Sequence, residues 1–184
     1  SPTPTSTATS VSFPSTSILD NFNRSNGGIG SNWGGATGGY SISSNQLDVV
    51  GGQDIYWKNN QYGANQEVYV KIVTVDTSGV EQDLLLKSQS NTGYSAGLVE
   101  VLYSHSGSSV QVWTYTSSQG WVQRGTNISV TFANGDVFGA RATSSGQVSV
   151  YKNGSLLGTR DITAWPYYAN SGYIGLWFDS AGNA

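Results

Sequence analysis

The chain of 184 residues contains no cysteine and no methionine. The first absence excludes disulfides, thiolate nucleophiles and iron–sulfur ligation. Because of the second, residue 1 is not expected to be a translation start, and the sequence reads as a processed mature protein or an excised piece, from which a signal peptide would already have been removed. Charge is scarce as well: Lys and Arg number 8, Asp and Glu 11, and the net charge is −3. The basic residues are scattered, which excludes a nucleic-acid surface, since binding phosphates needs a concentrated patch of Lys and Arg. No apolar run approaches the roughly 20 residues of a membrane span. The one histidine, His105, sits in the loop-like run Ser104-His105-Ser106-Gly107. No Gly-x-Ser-x-Gly elbow accompanies it, so nucleophilic serine chemistry has no support.

What the chain does have is aromatic side chains and turn residues: 11 Tyr, 6 Trp and 24 Gly. Ser, Thr, Asn and Gly fill most polar positions, a composition common in exported proteins. Residues 1–17, SPTPTSTATSVSFPSTS, read as an extended arm or linker rich in Pro, Ser and Thr. Within it Val11 and Phe13 alternate with serines, a short strand pattern that Pro14 confines to an edge.

From residue 18 onward the hydrophobic period is 2. The clearest strands are Gln66–Val75, Gln82–Ser90, Ala96–Tyr103 and Ser109–Tyr115, with others over Asn127–Phe132, Val137–Thr143, Gln147–Tyr151 and Tyr173–Phe178. In the first, Val68, Val70 and Ile72 share one face while Tyr69, Lys71 and Val73 share the other. Turn signals such as Asn134-Gly135, Ser145-Gly146 and Asn153-Gly154 recur at strand-length spacing. No window sustains a helical period. The expected fold is an all-β antiparallel sandwich of about twelve to fourteen short strands, spanning residues 18–184.

Several segments together resemble bacterial concanavalin A-like (lectin/glucanase) jelly-roll domains. Ile18–Trp33, ILDNFNRSNGGIGSNW, looks like the family's opening strand and Gly-rich turn. Tyr40–Leu47 resembles its short hairpin, Val137–Gly158 a later strand pair with a tight Asn-Gly turn, and Gly172–Phe178, GYIGLWF, its penultimate strand. The resemblance implies the fold and leaves function open, because the same sandwich hosts lectins, binding modules, glycosidases and structural domains. Such domains commonly continue into one more strand that closes a sheet, whereas this sequence stops at Ala184. Without that strand, an apolar groove and an unpaired edge are expected.

Glycosidases of this fold carry a Glu-x-Asp-x-x-Glu strand, which sets acids on both sides of the scissile bond. The nearest match, Glu81-Gln82-Asp83-Leu84-Leu85-Leu86, has Leu86 in the third position, so the chain is expected not to be an enzyme. Sugar binding uses flat aromatic rings. Tyr56, Trp57, Trp113, Tyr115 and Trp121 are the platform candidates, with Trp165, Tyr167 and Tyr168 behind them. Trp113 and Tyr115 fall on one face of one strand, although large aromatics also fill sandwich cores. No cofactor is required. A structural calcium, which many such jelly rolls hold, would use Asp20, Asn21 and Asp179 if the first and last strands are neighbours. Asn23, Asn127 and Asn153 open N-glycosylation patterns. Lys71 and Lys87 are the lysines that an isopeptide bond would use.

Two functions follow. One is an extracellular or cell-surface structural subunit that polymerises with copies of itself, donating the arm around Val11, Phe13 and Ile18 as a strand to the next jelly roll. The other is a carbohydrate-binding module of a secreted, polysaccharide-acting protein, with glycans as partners.

Overall fold

A computed structural model describes residues 12–179. Fourteen strands run in the order β1 (Trp33–Gly35), β2 (Tyr40–Ser43), β3 (Gln46–Val49), β4 (Gly52–Trp57), β5 (Gln66–Lys71), β6 (Glu81–Ser88) and β7 (Leu98–Ser104). They continue as β8 (Ser109–Thr116), β9 (Gly120–Gln123), β10 (Ile128–Ser129), β11 (Val137–Ala142), β12 (Gln147–Lys152), β13 (Ser155–Asp161) and β14 (Tyr173–Asp179). A large sheet has the order β1-β4-β14-β6-β7-β8-β10, with β9 also on β8. A small sheet has the order β13-β12-β11-β5, and β2 pairs with β3 alone. Every pairing is antiparallel.

The alternation read from the sequence decides which side chains fill the space between the sheets. Val68 and Ile72 are buried there, with Val70 packed beside them, as the period of β5 requires. Leu84, Leu86, Val99, Val101, Val110 and Val112 meet them from the large sheet. Asn153 and Gly154 both take positive φ, 50° and 82°, in the β12–β13 turn, the conformation that makes Asn-Gly a hairpin signal. In the β2–β3 turn Ser44 and Asn45 do the same without glycine, at 52° and 61°.

Two strands are shorter than expected. β5 stops at Lys71, and only Ile128–Ser129 of the Asn127–Phe132 run pairs as a strand. The arm also departs from expectation. Val11 lies outside the described residues, and Phe13 is not in a strand. Its ring lies flat on Tyr151, centroids 4.0 Å apart and planes 5° apart, and edge-on to Tyr69 at 6.2 Å. The ring occupies the place where a Cβ on Gly139 would be, so the glycine admits it. The Glu67 carboxylate accepts hydrogen bonds from the backbone N–H groups of Ser15 and Thr16, at 2.7 and 3.0 Å. Tyr69 donates its hydroxyl to the Thr16 carbonyl. Phe13 is thereby seated on its own domain, and its side chain is not free for a neighbour's groove.

Among the described residues, no strand joins the small sheet to the β2–β3 hairpin: β5 pairs only with β11, and β3 only with β2. Between them lies a cavity of about 430 Å³ lined by Gln46 and Leu47 on one side and Tyr69–Val73 on the other. Leu176 and Phe178 of the large sheet line it too.

Candidate functional site

The outward face of the large sheet gathers an acid cluster and a set of aromatic rings. Residues directly opposite in an antiparallel ladder project to the same side, so the register reads the face in rows. One row is Tyr56, Gly175, Leu85, Glu100, Trp113 and Gln123. The next is Asp54, Trp177, Asp83, Leu102 and Gln111. At the two ends lie Asp179 opposite Glu81, and Leu98 with Tyr115 and Trp121.

Glu81, Asp83 and Glu100 place carboxylate oxygens within 4.8 Å of one another. Asp83 is fully buried and Glu100 is 5% exposed. Neither oxygen of Asp83 has a hydrogen-bond partner among the described residues, and the same holds for Trp177 Nε1. Burial pushes Glu100 up to about 8, and the nearby Glu81 charge adds to it. Asp83 is raised well above the carboxylate range, first by burial and then by Glu100 and Glu81. Glu81 is raised by burial and by Asp179. All three acids therefore hold their protons more tightly than free carboxyls, Glu100 up to about 8. Leu86 faces the core, as the absence of an acid there allows. Reading along β6 alone, however, misses Glu100, because a neighbouring strand brings that acid to Asp83.

Beside the acids is a connected set of rings. Tyr94 lies 5.1 Å from Tyr115, 5.7 Å from Trp121 and 5.3 Å from Trp177. Tyr115 and Trp121 are 5.0 Å apart. Trp121 is 38% exposed, and Tyr94, Tyr115, Trp113 and Trp177 are half-buried. Trp113 fixes its indole by donating to Gln111 at 2.9 Å. Of the sequence candidates, Trp113, Tyr115 and Trp121 thus share this face. Trp57 does not: it is buried between the sheets, edge-on to Trp33 at 5.5 Å. Tyr56 lies on the right face but is fully buried, its hydroxyl donated to Asp54 at 2.7 Å. Trp165 is fully buried and donates to the Tyr115 carbonyl. Tyr94 and Trp177 went unread because each is brought to the cluster from a distant part of the chain.

The expected calcium ligands are not arranged as a site. Asp20 accepts from Arg24 at 2.7 and 3.1 Å, from Trp33 Nε1 at 2.9 Å and from the Phe22 N–H at 2.8 Å. Burial raises its pKa, but these donors outweigh burial and hold it below the usual range. Asn21 caps the Asn23 N–H. Asp20 is held at Trp33, which pairs with the Trp57 end of β4, whereas Asp179 pairs with Gly52 at the other end. These residues do not fit a shared ion. Asn23, Asn127 and Asn153 are exposed, although Asn153 already donates its amide to Asp136 at 2.7 Å. Lys87 is buried, its ammonium donating to the carbonyls of Ala64 and Tyr168 at 2.6 Å each, and is tied to loops rather than to an isopeptide partner.

No family model matches the chain, and no curated protein matches it by sequence. Solved structures do resemble it. A carbohydrate-binding module, CBM66 from Bacillus subtilis, superposes with a TM-score of 0.57 at 12% identity, covering 81% of this chain and 92% of that one. A glycoside hydrolase family 16 endo-glucanase from Bacteroides ovatus gives 0.57 at 13%, covering 89% and 86%. The β-agarase B of Zobellia galactanivorans gives 0.55 at 14%, covering 88% and 77%. The fold is a concanavalin A-like jelly-roll sandwich. Among the described residues, no helix is long and apolar enough to cross a membrane.

Proposed function

We propose that the chain is a non-catalytic, extracellular carbohydrate-binding domain whose ligand lies on the outward face of the large sheet. The observation that carries this is the ring cluster of Tyr94, Tyr115, Trp121 and Trp177 beside Trp113 and the acid trio. Its open ring, Trp121, offers an apolar face that suits a pyranose, and Gln111 and Gln123 on the same side of the sheet offer amides for hydroxyls. The solved structures of similar fold include a carbohydrate-binding module and polysaccharide hydrolases, which agrees with a glycan ligand. The non-catalytic part rests on the acids. Hydrolysis needs two carboxyl groups open to the scissile bond, and Asp83 and Glu100 are sealed.

The test is affinity electrophoresis against a panel of soluble β-glucans, agarose oligosaccharides and fructans, with a reducing-end assay alongside. Retention by at least one glycan without reducing-end release is the expected result. Release that Glu100→Gln abolishes would overturn the non-catalytic reading, and no retention by any glycan would overturn the ligand.

A second reading concerns the side of the sandwich. Copies of the chain associate there, head to tail, and the favouring observation is the unjoined lane between β5 and β3. Sedimentation over a concentration range tests it; mass independent of concentration at the monomer value excludes it.

A further inference from the structure

We propose that this lane is a strand-acceptor site, and that its occupant is residues 5–11 of a second copy of the chain. The inference rests on the head-to-tail reading and adds the segment and its seat.

Four features of the lane call for a strand. First, two strand edges, those of β5 and β3, face the lane, which Ile18, Asp20, Asn21 and Phe22 also line. The Ile72 N–H donates to the Asp136 carbonyl on the β11 side, so by alternation the amides of Tyr69 and Lys71 point into the lane. Second, the floor is apolar: Ile72, Leu176 and Phe178 line it, with Val70 beside them. Third, Gln82, 1% exposed, lines the same cavity with its Oε1 unpartnered among the described residues. A buried carbonyl of this kind costs stability until a donor reaches it. Fourth, two of the large apolar side chains that remain exposed, Ile18 at 67% and Val73 at 40%, line the lane. Ile18, expected on the donated arm, therefore belongs to the receiving side.

The sequence of the chain supplies a matching strand. In Thr5-Ser6-Thr7-Ala8-Thr9-Ser10-Val11, every odd position is β-branched and every even one small. β-branched residues favour strands, and one face of this segment carries methyl groups for the floor with hydroxyls that can donate to Gln82. Seven residues span about 23 Å, enough to run the length of the six-residue β5. The other undescribed segment, Ser180-Ala181-Gly182-Asn183-Ala184, has no large apolar side chain to offer.

The anchor decides between the same molecule and another. Thr16 is bonded to Tyr69 on β5, whereas Phe13 lies over Gly139 on β11 and Tyr151 on β12. Toward its N-terminus the chain thus moves across the small sheet, away from its own lane. Donor and acceptor are different surfaces, so the contact is heterologous and propagates from copy to copy.

The experiment compares the full chain with a Thr5→Pro, Thr7→Pro, Thr9→Pro variant, since proline removes backbone donors from a strand. At concentrations too low for wild type to assemble, the variant should melt at the wild-type temperature. Sedimentation should give concentration-dependent oligomers for wild type and monomer for the variant. A fluorescent peptide of residues 3–11 should bind the variant, and Val73→Arg in that background should weaken it at least tenfold. A variant that assembles like wild type overturns strand donation while leaving self-association standing. A wild type that stays monomeric and a variant that ignores the peptide overturn both.

Discussion

Glu67 and Glu100 are both glutamates on the outward face of a sheet in the same sandwich, and they are treated in opposite ways. Glu67, on the small sheet, collects backbone and hydroxyl donors from Ser15 and Thr16 and the guanidinium of Arg141 at 2.5 and 3.0 Å. Burial alone would raise its pKa, but Arg141 and these donors bring it below the usual range. Glu100, on the large sheet, has carboxylates for neighbours and is pushed up to about 8 by burial and then by Glu81. The first arrangement fastens a segment to a sheet. The second costs stability when charged, and a fold tolerates that where a surface serves something other than folding.

The comparison breaks most sharply at Arg141. Its partner carboxylate has a side chain only 3% exposed, and stripping the cation from a buried pair is strongly destabilising. Arg141→Met should cost ~3 kcal/mol by urea unfolding. A loss under 0.5 kcal/mol would mean that the arm's donors satisfy Glu67 unaided. Phe13→Ala removes the ring that stacks on Tyr151 and should cost about 2 kcal/mol, less than a fully enclosed phenylalanine because the site is at the sheet surface. An unchanged midpoint would show that the polar contacts of Glu67, Tyr69 and Arg141 hold residues 12–16 without the ring.

Proton linkage sharpens the same contrast, because the two sites slope in opposite directions. Glu67 is lowered in the folded state, so its contribution is present above its unfolded pKa and is lost as pH falls through the folded value. Glu100 is raised, so its contribution is complete below its unfolded value, 4.5, and is lost as pH rises toward about 8. Melting temperature should therefore peak in mildly acidic buffer and decline toward pH 8. Glu100→Gln should flatten that decline and stabilise the protein at pH 8 by roughly 1–2 kcal/mol. A variant whose melting temperature keeps the wild-type slope from pH 5 to 8 would show that Glu100 does not hold its proton there.

How much of this was legible follows from what a strand pattern contains. Period 2 puts Val68, Val70 and Ile72 on one side and Trp113 and Tyr115 on one side, and both groupings hold. It also separates Tyr56 from Trp57, but it cannot say which of the two faces the second sheet. Pairing decides that, and Trp57 went inside. Pairing also brings Glu100 of β7 to Asp83 of β6, across a turn no motif along one strand can cross. The seat of Phe13 was hidden for the same reason. Gly139 hints at close approach, yet nothing nearby in sequence names an aromatic ring 126 positions away as what approaches.

The smallest effect on stability falls on the large sheet's outward face, and it is the one that separates folding from function there. Trp121 is the most open ring of its cluster, 38% exposed, and sits on the short strand β9, which among the described residues pairs only with β8. Trp121→Ala leaves the core between the sheets untouched but removes the ring packed on Tyr94 and Tyr115, so unfolding should cost about 1 kcal/mol, less than Phe13→Ala. If the ring is part of a glycan platform, affinity for any retained polysaccharide should fall at least tenfold, about 1.4 kcal/mol. On the small sheet the corresponding change, Phe13→Ala, should do the reverse, costing more stability and leaving glycan retention alone. A Trp121→Ala protein that loses no more stability than this and is still retained equally would remove the ring cluster as the platform. Losing stability well beyond this together with affinity would show that these aromatics, like Trp57, serve the fold.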